Sequence, residues 1–172
     1  MNARAAGGLP ALTNVQAAFA GFPSGVAALC AYVGTERVGM VVSSFSVGVS
    51  FDPPLVLFSI QNSSSTWPKL QKAETIGVSI LGHTHDAVCR QLSSRYRDRF
   101  EGVDVIETDG DALFIDQSSA WFECVVRSEV PAGDHAIVVM EVLATRLEPM
   151  IEPLIYHGTG FRKLEGISGT RA

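Results

Sequence analysis

Serine and threonine hydroxyls are concentrated in two short stretches of this sequence, each set among apolar residues. The first, residues 41–50, reads Val-Val-Ser-Ser-Phe-Ser-Val-Gly-Val-Ser and runs into Asp52-Pro53-Pro54-Leu55. A buried hydroxyl costs free energy unless it finds a partner, so Ser43, Ser44, Ser46 and Ser50 are poor core material. Where strand pairing stops, the backbone N–H groups of Val41, Val42, Ser43, Ser44 and Phe45 could donate to a planar heterocycle carrying carbonyl oxygens. An irregular strand corner whose serines bond their own backbone explains the same residues. The second stretch, Gln61-Asn62-Ser63-Ser64-Ser65-Thr66-Trp67-Pro68, puts four successive hydroxyls before a short helical run. A helix start offers unpaired N–H groups and a positive dipole end, so Ser63, Ser64, Ser65 and Thr66 suit a phosphate. A cap needs only Ser65 or Thr66, and Pro68 fits the first turn under either reading.

Histidine supplies the remaining chemistry. Gly133-Asp134-His135 precedes one strand, and Tyr156-His157-Gly158-Thr159-Gly160-Phe161 ends another. A lone histidine is ordinarily a surface residue, and these two act together only if the fold brings their strand ends to one place. His83-Thr84-His85 looks like a metal pair, but side chains two apart at a helix start diverge and no third ligand is near in sequence. Asp109 and Asp111 flank Gly110, a turn composition before it is a carboxylate pair. No strand leads into G-x-G-x-x-G, since Gly158-Thr159-Gly160 lacks the third glycine, and P-loop and G-x-S-x-G patterns are missing.

The elements that position these residues are mostly short strands. Val and Ile runs between Gly, Pro and Asp predict strands over 26–33, 38–42, 55–60, 75–81, 121–130, 136–147 and 154–157. Residues 34–37 form the turn of a hairpin, and 131–134 link the two longest strands. Leu12, Val15, Phe19 and Phe22 recur at helical spacing with Thr13 and Gln16 as a capping box, and Gly21 stops that helix. Two further helices are expected over 66–72 and 85–96. Many strands with few helices favour a closed β-barrel, because so many apolar strands would otherwise leave exposed edges. One domain over residues 11–165 is expected, with tails at 1–10 and 166–172.

The 172 residues carry 13 Lys and Arg against 18 Asp and Glu, a formal charge of −5, with only 18% charged and 47% hydrophobic residues. That balance argues against a nucleic-acid partner, and the low charged fraction suggests surface buried between subunits. No apolar run approaches the roughly 18 residues that span a bilayer, and residues 1–9 lack a signal-peptide core. Cys30, Cys89 and Cys124 are read as buried free thiols of a cytoplasmic protein.

In order and spacing, these segments resemble the flavin reductase family, small NAD(P)H:flavin oxidoreductases that feed two-component flavin monooxygenases. The resemblance covers residues 22–164 and rests on Ser44-Phe45-Ser46, Val49-Ser50 before Asp52-Pro53-Pro54-Leu55, Ser63 to Thr66, Gly133-Asp134-His135 and Pro153-Leu154-Ile155-Tyr156-His157. It implies a mainly β, homodimeric split β-barrel of FMN-binding type that takes FMN or FAD near the dimer interface. Val41, Val42, Ser43, Ser44 and Phe45 would contact the isoalloxazine ring, largely through the backbone. Ser50, Ser63, Ser64, Ser65 and Thr66 would surround the ribityl chain and phosphate, and Ser94 and Arg95 would line the site further along, Arg95 against phosphate or adenylate. His135, Tyr156, His157, Gly158 and Phe161 match the nicotinamide side, with His135 orienting the reductant. Arg99-Phe100 corresponds to a common basic–Phe pair. The chain departs from the family at Val41-Val42-Ser43-Ser44, where Thr-Ala-Asn/Thr-Ser is common, and at Phe161, where Tyr is frequent. The resemblance implies NADH- or NADPH-dependent flavin reduction without a metal, with reduced flavin diffusing to a monooxygenase. A flavin-binding barrel without turnover is the alternative. A pyridoxamine-phosphate-oxidase-like enzyme would need a basic phosphate cluster that the serine loop lacks, and an interaction module would need an exposed apolar stripe.

Overall fold

The computed structural model describes residues 14–95 and 98–166. The expected tail at 1–10, and Leu12 and Thr13 of the expected first helix, lie outside the described residues, as do Tyr96 and residues 167–172. The chain opens with α1 (Val15–Ala20), whose cap is Asn14, its side chain accepting from Ala17 N at 3.3 Å. The capping box read from Thr13 and Gln16 is therefore replaced by an Asx cap one residue later. Gly21 ends the helix as expected.

Strands β1 (Ser24–Gly25), β2 (Ala27–Val33), β3 (Glu36–Val42), β4 (Ser46–Phe51) and β5 (Pro54–Gln61) follow. Next come α2 (Trp67–Leu70), β6 (Ile76–Ile80), α3 (Asp86–Leu92), β7 (Val105–Glu107) and β8 (Leu113–Ile115). The chain then forms β9 (Ala120–Ala132), β10 (His135–Leu147), β11 (Leu154–His157) and β12 (Gly160–Lys163). β2 and β3 make the expected hairpin around Gly34, which takes φ 62°. β9 and β10 form a second, 13 residues a side, turning at Gly133 with φ 68°. α3 ends at Leu92 with Ser93 as its cap rather than continuing to 96, because Ser94 N bonds Gln91 O three residues back at 3.0 Å, a tightened last turn that leaves the i−4 ladder.

Seven strands form one sheet in the order β3-β2-β6-β9-β10-β5-β4. β3 and β4 are thus at opposite edges, yet only residues 43–45 connect them. Four steps from Val42 to Ser46 span at most roughly 14 Å, so the sheet must curl until its edges nearly meet. It does not close. β3 and β4 are not paired, which corrects the expectation of a closed barrel. The physical reason lies in β4, whose register with β5 is broken between Ser46 and Ser50, around Gly48 at φ 72°. A bulged strand of this kind presents no regular ladder to β3. β1, β11 and β12 form a smaller sheet and β7–β8 a two-stranded one.

The core fills the curl of the large sheet. Leu29, Phe58, Leu70, Ile76, Val78, Val138 and Met140 are fully buried there, and Trp67 meets Phe58 edge-on at 5.2 Å. A second cluster, with Leu81, Leu92, Leu113, Ile115 and Leu154, packs α3, β8 and β11 against the other face of β2. All three cysteines are buried and free, and desolvation pushes the Cys30 and Cys124 thiols up to about 12.

His85, which the sequence paired with His83, is 9% exposed, and its Nδ1 accepts from Gly82 N at 3.2 Å. Burial lowers its pKa, partly offset by Asp116. The fold therefore prefers the neutral ring. Its contribution to stability is complete above the unfolded value of roughly 6.5 and is lost as pH falls below it, at up to about 1.4 kcal/mol per pH unit. Urea midpoints measured at pH 7.5 and pH 5.5 are expected to drop toward acid, and to drop less in His85→Gln, whose amide oxygen still accepts from Gly82.

Candidate functional site

The seam where the sheet fails to close holds a cavity of about 490 Å³. One wall is the end of β3 and the turn after it: Met40, Val41, Val42, Ser43 and Ser44. The opposite wall is the end of β5, with Ser59, Ile60 and Gln61, joined by His135 at the start of β10. The β2–β3 ladder ends at Ala27–Val42 and the β4–β5 ladder begins at Ser46–Leu57, so residues 43–45 lie between two ladders. Ser44 pins this turn across the seam, its Oγ donating to Ser59 O at 2.9 Å and accepting from Ser59 N at 3.1 Å. Its hydroxyl is spent on that bridge, so what the turn offers the cavity is main chain and the Ser43 hydroxyl.

The far end of the cavity is polar and cationic. Ser63, Ser64, Ser65 and Thr66 form it with Ser93, Arg95 and Arg99. The helix cap proves to be Ser64, whose Oγ accepts from Trp67 N at 3.2 Å, whereas Thr66 at the N-cap makes no side-chain cap bond. Ser65 is left for a ligand. The Arg99 guanidinium is built into three elements at once: Nη1 donates to Gly39 O at 2.7 Å and to Thr66 Oγ1 at 2.9 Å, and Nε donates to Ser94 O at 2.9 Å. Among the described residues nothing accepts from its Nη2.

His135 pairs with Gln61, next to the serine run; its Nδ1 is 2.7 Å from Asp134 Oδ1, and that hydrogen bond holds the Asp134 carboxyl below the usual carboxylate range. An ionised carboxylate only accepts, so Nδ1 is the donor and Nε2 remains for a ligand. A side cavity of about 350 Å³ lies across the turn and shares Val41, Val42, Ser43 and Ser93 with the first. Its own wall includes Tyr156 and Phe161, whose rings meet at 5.7 Å, and Arg90, which sits over Phe161 at 5.4 Å.

The model of the flavin reductase like domain matches residues 19–165 of the chain. The chain belongs to that family. It is 33% identical to a flavin reductase of Pseudomonas putida over 141 residues, 81% of this chain and 82% of the other. It is 31% identical over 147 residues to the reductase component of a 4-hydroxyphenylacetate 3-monooxygenase from Thermus thermophilus, covering 86% and 93%. Its fold superposes on an NADH:FAD oxidoreductase from Streptomyces globisporus, solved with NAD and FAD fragments, with a TM-score of 0.82 at 28% identity, covering 90% and 93%.

In this flavin reductase-like chain the seam brings together Val41, Val42, Ser43, Ser44, Ser63, Ser64, Ser65, Thr66, Arg95 and His135, with Ser94 between two lining residues. Other expected site residues lie elsewhere. Phe45 turns to the core and stacks on Phe122 at 6.2 Å. Ser50 pairs with Leu55 in β4, away from the cavity. Tyr156 and Phe161 line the side cavity rather than the one holding His135. His157 is exposed, and Gly158 turns the β11–β12 hairpin at φ 56° while its N–H donates to Ala20 O at 2.8 Å. Sequence reasoning gave Arg99 no role and passed over Gln61 and Ser59. Gln61 adjoins the serine run, a signal that was available. Ser59 is found only through the register of β5 with β10.

Proposed function

We propose that the chain is an NAD(P)H:flavin oxidoreductase that reduces FMN or FAD with NADH or NADPH and releases reduced flavin to a partner monooxygenase. The observation that carries this reading is one cavity with two unlike ends, a main-chain turn between ladders and a hydroxyl-and-guanidinium terminus. A flavin has the same polarity, a flat ring edged with carbonyls at one end and a phosphate at the other. The donor set fits it. Ser43 and the main chain of residues 41–44 would hold the ring edge, where fixed donors stabilise developing negative charge. Ser63, Ser65, Arg95 and the unused Nη2 of Arg99 would hold the phosphate. His135, oriented by Asp134, would position the nicotinamide through Nε2. Bound flavin supplies the redox chemistry, accepting a hydride at N5. The residues contribute position, exclusion of water and hydrogen bonds, so no nucleophile or base is required of them. The names of the relatives support this assignment.

The test is direct. Pure protein with NADH and free FMN or FAD is expected to bleach the nicotinamide absorbance far faster than the uncatalysed reaction. His135→Ala is expected to raise the KM for NADH several-fold in the same assay. Co-purifying flavin that NADH leaves oxidised would instead indicate a binding protein without turnover.

A homodimer is part of the same proposal. β4 is an edge strand exposed along nearly its whole length, with Val47, Val49 and Phe51 outward and Phe51 87% exposed. Such an edge invites another chain unless it is covered. Sedimentation is expected at twice the 18.4 kDa chain mass, and Phe51→Lys is expected to shift it toward the monomer. The unpaired thiols fit a cytoplasmic setting. Among the described residues no helix is long and apolar enough to cross a membrane.

A further inference from the structure

The ribbon of β7 and β8 lies over β2 and β6, and beside it the start of β9 and the end of β10 are left partly open. A cavity of about 240 Å³ sits in that gap and shares no lining residue with the seam. Its floor is apolar. Phe114 and Trp121 are buried with Ile106 packed against them, and Ala144, opposite Glu123 in the β9–β10 ladder, contributes only a methyl group. Trp121 is fixed in place, its indole N–H donating to Ile115 O at 2.8 Å and Arg146 lying over its ring at 4.9 Å. Arg146 also pairs with Glu148 at 3.4 Å, so its charge is answered.

Glu123 is not answered. Half-buried on the wall of the cavity, its carboxylate has no hydrogen-bond or ion-pair partner among the described residues. Thr75 Oγ1 is buried and equally unpartnered. Thr108 Oγ1 donates to Ala112 O at 3.2 Å and keeps its lone pairs to accept. These three oxygens gather around the bare α-carbon of Gly110. A Cβ added there would stand 3.3 Å from Thr75 Oγ1, 3.7 Å from Glu123 Oε1 and 3.9 Å from Thr108 Oγ1. Buried oxygens without donors cost free energy that a donating ligand recovers. A carboxylate with two hydroxyls matches the charge and the three donors of one ammonium group.

We propose that this groove is a binding site for a single-ring aromatic ammonium, its ring on the floor of Ile106, Phe114 and Trp121 and its nitrogen at Glu123, Thr75 and Thr108. The size agrees, since an apolar cavity of about 150 Å³ already holds benzene. The site is separate from the seam, so it stands or falls independently of the flavin reductase reading.

Calorimetric titration of 2-phenylethylammonium chloride into the intact chain tests it. One equivalent is expected to bind, and saturating FMN is expected to leave the Kd unchanged. 3-Phenylpropionate, with the same ring on the same two-carbon arm but the opposite charge, is expected to bind at least roughly tenfold more weakly. Glu123→Gln keeps the size of the side chain and is expected to weaken the ammonium about tenfold, the loss of one charge-assisted hydrogen bond. Gly110→Ala, which sets a methyl group among the three oxygens, is expected to weaken it as well, so the proposal does not hang on one variant. Equal affinity for the two probes, displacement by FMN, a Kd unchanged in both variants, or no binding to the parent would each overturn the site.

Discussion

Replacing Arg99 by methionine is expected to raise the KM for flavin at least tenfold while leaving the KM for NADH within a factor of two. Methionine keeps the length of the stem but removes every donor. Gly39 O, Thr66 Oγ1 and Ser94 O then lose a charged partner together. Hydrogen bonds to charged groups are each worth about 1.5–3 kcal/mol, and losing about 1.4 kcal/mol at a binding site is already a tenfold change. The three acceptors belong to β3, the start of α2 and the turn after α3, so the loss lets three walls of the seam drift apart. On this proposal Arg99 positions these walls, and its Nη2, from which no described residue accepts, would add a direct contact. Lysine is expected to rescue little of the effect, because one ammonium cannot reproduce a planar fork reaching three acceptors. Steady-state kinetics with each substrate varied separately checks the split. A flavin KM unchanged in Arg99→Met would show that the walls hold without it.

Gly77→Ala is expected to be the most damaging single-methyl addition in the chain. Gly77 sits in β6 between Cys30 of β2 and Glu123 of β9, beneath the buried strand β8. A Cβ there would collide with the carbonyl oxygen of Leu113 and lie 2.7 Å from its carbon. Backbone, unlike a flexible side chain, cannot step aside, and β8 is further tied down by Ile115 N donating to the buried Ser79 Oγ at 2.9 Å. Overpacking typically costs about 1–3 kcal/mol, occasionally more, and a backbone collision belongs at or above the top of that range. With roughly 2–4 °C of Tm lost per kcal/mol at this size, a drop of about 10 °C is expected by thermal melt. A Tm within 2 °C of the parent would mean that β8 does not lie where it is described.

The sequence carried most of the fold because the strands of the large sheet are dense in Val, Ile and Leu and are broken by turn residues. Runs such as 26–33 and 55–60 declare themselves. β4 was missed for a physical reason: Ser-Val-Gly-Val-Ser does alternate, but its serines and central glycine read equally as a loop, and its exposed, bulged, one-sided pairing is set by the fold and not by composition. Closure was the wrong inference from the same fact, since the edge that would have completed a barrel is the irregular one. At the site, the hydroxyl-rich stretches were legible as a set, because serines among valines need an explanation. Their individual roles were not. Ser44 spends its hydroxyl on Ser59 and Ser64 caps α2, both decided by neighbours that composition cannot name. Arg99 reaches Gly39 across 60 residues of chain and Thr66 across 33. His135 and Tyr156 were expected together, yet they face different cavities on either side of residues 41–43, a division set by the curl of the sheet.

The account stands on the seam between β3 and β5 being the place where a flavin is held. A crystal structure of the chain with oxidised FAD measures this most directly. The ring is expected beside the main chain of residues 41–44, with the first phosphate at Ser65, Thr66 and Arg99. A ring bound on any other face, or a seam still filled by its own side chains at saturating flavin, would contradict it.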